Sequence, residues 1–424
     1  MQEKLLQFIW KYNLYQPHGL LTTDGQAIQV IHPGILNTHS GPDFSIAKIR
    51  IGTTIMVGNV ELHLRTSDWL RHNHQYNKAY EKLVLHVVYE HDMDELPGGI
   101  TVLPLKAFIP DYVLTKYTQL LQTTHPLPCA RQLPGVNTLI KESWLSRLLV
   151  ERWEKKLTLW KEELQQADND WRTLLYWRMA ANFGFKVNAT PFLLLAQSLP
   201  LQLLGKQHQL LQIEALIFGQ AGLLENDFKD DYPRQLQQEY QYLRQKYTLA
   251  GITPHLWKFM RLRPANFPTI RLAQFAALVH QSLHLFTKIG ERTSLAQLKE
   301  LLTVKASAYW DDHYRFDELT ANQRIKNLGD DSVHNIIINT IAPIRFLYAH
   351  AQHIQDAQEA ALQLLEDVPA ESNNVMGLLE AHGWKPSNAG QSQSLLQLYK
   401  HYCSAKRCLE CAIGLSIIKS GPDK

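Results

Sequence analysis

The chain predicts an α/β N-terminal domain, a mixed sheet flanked by helices, followed by a large all-α C-terminal domain. Three observations carry this reading. Short β-branched runs between Gly and Pro punctuation crowd into the first quarter, and apolar residues at helical spacing dominate from about Asn137 onward. Between them, the segment from Thr123 to Gly135 carries four Pro or Gly residues, the strongest interdomain signal in the chain. The predicted domains are therefore residues 1–122 and 136–424.

Taken in order, the first element is a helix, because Leu5, Phe8, Ile9 and Tyr12 recur at helical spacing. Strands are predicted at Ala27 to Ile31, Ser45 to Ile51, Ile55 to Leu64 and Leu83 to Tyr89, each a run of strand formers bounded by turn residues. The stretch between the last two, SDWLRHNHQYNKAYEK, opens on a Ser or Asp cap and predicts helix. GGITVLPLKAF predicts one more strand. Downstream, SWLSRLLVERWEKKLTLWKEELQQ, FLLLAQSLPLQLLGKQHQLLQIEALIFG and RLAQFAALVHQSLHLFTKI read as helices of a packed α domain. No fixed period recurs, so nothing argues for a solenoid.

At 424 residues, 45% hydrophobic and 20% charged, the chain is long enough for two or three domains that each bury a core. No window reaches the ~18 uninterrupted apolar residues of a membrane span, and the opening lacks the basic region and cleavage site of a signal peptide. The expectation is a cytoplasmic protein with no membrane association. A formal charge of +3 neither demands nor excludes a polyanionic partner, so any nucleic-acid footprint is local. Four cysteines are too few for a disulfide scaffold. The oligomeric state is not legible.

The stretch GPDFSIAKIRIGTTIMVGNVELHL, from Gly41 to Leu64, carries the chemistry. With a three-residue loop at Gly52 to Thr54, Ile51 pairs with Ile55, Asp43 lies opposite His63, and Glu61 sits one pleat away on the same face. A two-residue loop would mismatch the faces. Two carboxylates that share a face repel, and a hard divalent cation between them, Mg²⁺ above all, relieves the repulsion. Such an ion can activate water for attack on a phosphodiester. Asp43 has a plainer reading as the Asp of a Pro-Asp turn, and Asn37 and Asp68 read as turn or cap residues. Glu61, flanked by Val60 and Leu62 within a strand, needs a metal, a base or solvent facing it.

Pro42-Asp43, a hairpin, and then Glu61-Leu62-His63 resemble the signature of the PD-(D/E)XK nucleases, as does the order helix, strands, helix, strand. The resemblance covers the first quarter of the chain. It implies a PD-(D/E)XK-like fold, Mg or Mn bound by Asp43 and Glu61, hydrolysis of DNA or RNA, and a Lys two residues after the Glu that orients the attacking water. His63 stands at that position. A neutral imidazole binds metal or takes a proton but supplies no fixed positive charge, and Lys48 on the facing strand is the candidate to replace it. Over nearly its whole length, through GPDF, GNVELHLRTSDW, RLRPANFPTIRLAQ and the cysteine-rich end, the chain also resembles a bacterial family known only as a domain of unknown function.

Three other constellations stand out. Seven of the nineteen histidines fall between His32 and His91; His72 and His74, two apart, suit a turn, where they contact a phosphate, join His63 in a zinc hydrolase site, or remain solvated. Cys403, Cys408 and Cys411, with Cys129 far upstream, offer thiolates for zinc or an iron–sulfur cluster, or pack as buried thiols. On one continuous helix Cys403 would not share the face of the other two. Arg261, Arg263 and Arg271 surround two prolines at a helix start and form a candidate phosphate-binding surface, whereas Trp144, Trp153 and Trp160, interleaved with Arg147, Arg152, Lys155 and Lys156, read as core. The leading expectation is a metal-dependent nuclease. Its rival is a catalytically inactive nuclease-fold module that binds nucleic acid or a partner protein.

Overall fold

A six-stranded mixed sheet organises the first part of the chain in the computed structural model, which describes residues 1–93, 96–286, 291 and 293–422. Helix α1 (Glu3–Lys11) precedes it and buries Leu5, Leu6, Phe8, Ile9 and Trp10. The strands are β1 (Ile28–His32), β2 (Ile35–Leu36), β3 (Phe44–Ile51), β4 (Thr54–Arg65), β5 (Leu83–Glu90) and β6 (Val102–Pro104). Their order is β1-β3-β4-β5-β6, with β2 beside β3. Strand β2 is too short for any periodicity and is absent from the sequence prediction.

Strands β1, β3 and β4 are antiparallel, whereas β5 pairs parallel to β4 and β6 parallel to β5. A parallel neighbour requires a crossover over one face of the sheet. Residues 66–82 make that crossover through helix α2 (Asp68–Arg71) and two 3-10 turns, His74–Tyr76 and Lys78–Tyr80. The crossover is what carries His72 and His74 over the sheet.

The β3–β4 register differs from the expectation. Ile51 pairs with Thr54, so the loop is the two-residue turn that, continued regularly, would put Asp43 on the wrong face. A bulge corrects this. Pairing runs from Ala47↔Gly58 to Phe44↔Val60, which leaves an extra residue on β3, and Ile46 takes φ 56 to absorb it. Asp43 thus meets Glu61 rather than His63. Gly34 packs on the bulge, where a Cβ would stand 2.8 Å from the Ser45 carbonyl oxygen.

The chain divides into two units, Met1–Leu145 with Leu378–Gly383 and Gln397–Lys424, and Ser146–Gly377 with Trp384–Leu396. The division falls inside the helix Thr138–Gln166, and the cysteine-rich C-terminal segment belongs to the unit that holds the sheet. There the last helix, Ala412–Lys419, packs on α3 (Asp111–Gln122), and Lys116 of α3 donates a 2.8 Å hydrogen bond to Ser420 Oγ.

The second unit is largely helical. Its helix Pro268–Gln281 is buried on every side from Pro268 to Val279, which marks it as the central element. Trp153 and Trp160 are core residues, as their spacing predicts. One correction applies: this part is not all-α, because His313–Arg315 pairs with Glu318–Leu319 in a small hairpin. Among the described residues no helix is long and apolar enough to cross a membrane.

Candidate active site

Asp43 and Glu61 meet at the start of β3 and the middle of β4. The Asp43 main-chain N–H donates to Glu61 Oε2 at 2.9 Å, and the Leu62 N–H donates to Asp43 Oδ2 at 3.0 Å. Gln7, from α1, donates to the remaining oxygen, Oδ1, at 2.8 Å. Both Asp43 oxygens are therefore engaged by the protein itself. Glu61 Oε1 points the other way, 3.6 Å from His63 Nε2 and 3.4 Å from His74 Nε2.

The histidines complete the constellation. His63 Nε2 lies 3.1 Å from His72 Nδ1, and a ring nitrogen of each of His63, His72 and His74 lies within 4.8 Å of the other two. Among the described residues no other three His, Cys, Asp or Glu side chains come together so closely. Residues two apart converge here because Asn73, between them, takes the left-handed conformation (φ 59, ψ 32) where α2 ends and the 3-10 turn begins. Asn tolerates that region better than most residues.

The spacing fits a metal. Arms of about 2.0–2.1 Å to imidazole nitrogen and carboxylate oxygen put tetrahedral ligand atoms about 3.3–3.4 Å apart; His63–His72, Glu61–His74 and Glu61–His63, at 3.1, 3.4 and 3.6 Å, straddle that value, and the three histidine nitrogens all lie within 4.8 Å of one another. His74 Nε2 is also buried without a hydrogen-bond partner, a state that calls for an explanation. Behind the site, His63 Nδ1 lies 2.9 Å from Nε2 of His86 on β5, an outer contact that turns the other His63 nitrogen toward the cluster. Glu61 and His63 are buried, whereas His72 is exposed and marks the open side.

Electrostatics agree with the geometry. Burial, followed by the Asp43 charge, pushes Glu61 up to about 8; burial raises Asp43 to about 6 against its hydrogen bonds from Leu62 and Gln7. Burial, reinforced by the imidazoles of His86, His72 and His74, holds His63 down at about 2. It also depresses His86, to about 3, and His74. These imidazoles stay neutral, with lone pairs available to a cation.

Two participants escaped the sequence reading. Glu3 and Gln7, one turn apart on α1, face this site, and the Glu3 charge raises both Asp43 and Glu61. Burial raises the Glu3 carboxyl itself, against the nearby His72. The available signal was their i, i+4 spacing on a helix whose neighbouring positions are apolar.

Other predicted residues lie elsewhere. Lys48 is exposed on β3 between His32 and Val57, about 15 Å along the strand from Asp43 at the usual rise; the structure does not bring it to the cluster. Arg271 requires a correction too. It is buried, donates to Gln274, Asn266 and Ser332, and lies over the Phe185 ring, so its guanidinium braces the second unit instead of meeting a phosphate. Arg261 and Arg263 are exposed. Asn37 and Asp68 have the local roles their positions predict: Asn37 bonds the carbonyls of Ser40 and Pro42, and Asp68 accepts from the Arg65 N–H and pairs with Arg71. Cys129, Cys403, Cys408 and Cys411 are all free thiols of the first unit.

No curated protein and no solved structure matches this chain. Residues 3–374 match the model of a family described as a protein of unknown function, DUF2851, and the chain belongs to that family.

Proposed function

We propose that this protein is a metal-dependent hydrolase of phosphodiester bonds in DNA or RNA, with Glu61, His63, His72 and His74 as its metal-binding set. One observation carries the reading: ring nitrogens of His63, His72 and His74 all lie within 4.8 Å of one another on a side open at His72, and Glu61 Oε1 stands 3.6 Å from His63 and 3.4 Å from His74. The donor set, three imidazole nitrogens and a carboxylate oxygen, suits a borderline transition ion such as zinc or manganese. Magnesium, which takes oxygen ligands, is less suited to this imidazole-rich set, and the Asp43 oxygens each already accept one hydrogen bond, from Gln7 and from Leu62.

Bound there, a divalent ion supplies Lewis acidity, polarising a phosphoryl oxygen and making water acidic enough to attack at neutral pH. The protein's own groups do the rest. Glu61 releases its proton on metal binding, and the Asp43 N–H holds its other oxygen in place. His86 orients His63. Glu3, interacting with His72, Asp43 and Glu61, is the candidate to receive the proton of the attacking water. His72, on the exposed side, would hold the ion from the face open to substrate.

The phosphodiester assignment draws support from the element order. Helix α1, antiparallel strands, a helical crossover and a parallel strand, with Asp43 opening one strand and Glu61 within the next, are what the PD-(D/E)XK resemblance implies. A second reading has its own observation. With each Asp43 oxygen hydrogen-bonded, His63 in place of Lys and Lys48 remote, the fixed cation acting on His63 is Arg71, which is paired with Asp68; this favours a module that binds nucleic acid without cleaving it.

The test is cleavage of labelled single- and double-stranded DNA and RNA in the presence of Mn²⁺, Zn²⁺ or Mg²⁺, beside Glu61→Gln and His74→Ala. Cleavage with a transition ion, lost in both variants, is expected. Binding without cleavage selects the module, and neither binding nor cleavage with any ion rejects both readings.

A further inference from the structure

The four cysteines come from two distant stretches of chain and meet in the first unit. Cys129 lies in the loop after α3, its carbonyl accepting the Gln132 and Leu133 N–H groups. Cys403 closes a π-turn, Tyr399–Cys403; Cys408 opens a single 3-10 turn, Cys408–Glu410; and Cys411 immediately precedes the last helix. The helix is thus broken between Cys403 and Cys408, which frees Cys403 to turn toward the other two. Lys406 ties this loop to the end of α3, donating to the carbonyls of Leu121 at 2.6 Å and Thr123 at 2.8 Å. Gly414 draws the last helix onto the loop: a Cβ there would stand 2.1 Å from the Cys408 carbonyl oxygen.

Burial raises the Cys411 thiol, and the N–H groups of Gly414 and Ile413 and the indole N–H of Trp144 act against that rise. That indole nitrogen is buried without a hydrogen-bond partner. Several N–H donors converging on one sulfur serve an anion, whereas a neutral thiol is a weak acceptor. All six pairings of the four sulfurs are close enough for their charges to interact. Cys403, Cys408 and Cys411 are buried, and thiolates gathered away from water repel one another. A coordinated metal removes that conflict, because it deprotonates the thiol and neutralises the charges together.

The spacing distinguishes the metal. Four sulfurs on one zinc ion, with arms of about 2.3 Å, stand about 3.8 Å apart. No three of these four lie within 4.8 Å of one another. A cluster of several irons, each taking its own thiolate, spans a wider set. We propose that Cys129, Cys403, Cys408 and Cys411 hold an iron–sulfur cluster that fastens the C-terminal segment to the rest of the first unit. This centre is separate from the histidine site and stands whether or not that site hydrolyses anything.

The experiment is metal and acid-labile sulfide analysis of the full chain, purified without oxygen, with a visible spectrum, beside Cys129→Ser and Cys411→Ser. A brown protein with iron and sulfide in equal amounts is expected, with most of the iron lost in each variant. Protein that holds no iron or sulfide, both as isolated and after anaerobic incubation with ferrous iron and sulfide, overturns the proposal. Stoichiometric zinc in place of iron overturns it too. Both of these readouts come from the unaltered chain, so neither depends on the variants folding.

Discussion

Glu61 is the residue on which the proposed site turns. Its folded pKa of about 8 lies above the ordinary 4.5, so the metal-free folded state binds this proton more tightly than the unfolded chain does. The stabilisation is full below the unfolded value and is lost as pH rises through the folded one. His63 acts in the opposite sense: held at about 2 from 6.5, its contribution is complete above its unfolded value and is lost in acid. Of these two, only Glu61 is still changing above about pH 7; in the second unit Lys156, which burial holds down at about 7, and Glu214, which burial raises to about 7, titrate in the same range. Two outcomes are expected. Metal-free protein loses thermal stability relative to its Glu61→Gln variant between about pH 7 and 8.5, and metal affinity climbs about tenfold per pH unit up to about 8 before flattening. Calorimetric titrations across that range check the second, and a pH-independent affinity would remove Glu61 from the ligand set. His86→Phe keeps the bulk but deletes the nitrogen facing His63, and is expected to weaken metal binding ~10–100-fold with the fold intact.

At the scale of elements, the bulge in β3 and the crossover after β4 build the site between them. Ile46 absorbs the bulge in a left-handed conformation that a β-branched residue disfavours, and its side chain is 63% exposed. Ile46→Gly is therefore expected to be neutral or stabilising by up to ~1 kcal/mol in denaturant unfolding, relief of strain outweighing glycine's entropy. Deletion of Ile46 restores regular pairing, turns Asp43 to the opposite face, and is expected to abolish metal binding. Gly58 has the contrary requirement: an added Cβ would stand 2.4 Å from Val84 Cγ1 and 2.6 Å from the Lys82 carbonyl oxygen. Gly58→Ala is expected to destabilise the first unit by about 1–3 kcal/mol, as overpacking does. The hairpin shows where sequence reasoning reached its limit. The alternation in β4 correctly put Glu61 and His63 on one face, but neither the two-residue turn nor the compensating bulge leaves a pattern in the residues, because both are defined by pairing.

At the scale of the whole molecule, the second unit is built around one buried helix, and Arg271 is one of its buried charges, with Glu214 and Lys326. Arg271→Met leaves Asn266, Gln274 and Ser332 without their donor, so a loss of about 1–3 kcal/mol in unfolding is expected, with nucleic-acid affinity unchanged. An affinity that falls in step with Arg261→Ala or Arg263→Ala would return Arg271 to a binding role. The sequence misjudged Arg271 because an Arg beside two prolines at a helix start reads identically whether the helix lies on the surface or in the core.

What the residues determined unaided is everything with a local signature: the opening helix, the main strands, the helical second half, and the carboxylate of Glu61 set improbably within a strand. Periodicity, turn residues and desolvation act over a few neighbours, so they are written in the chain. Tertiary structure alone decided that Asp43 commits its oxygens to Gln7 and Leu62, that His72 and His74 swing over β4 beside His63, that Glu3 joins them, and that the last cysteines return to Cys129. Each of these depends on which distant segments become neighbours, and that follows from burying one shared core instead of from any short stretch of sequence.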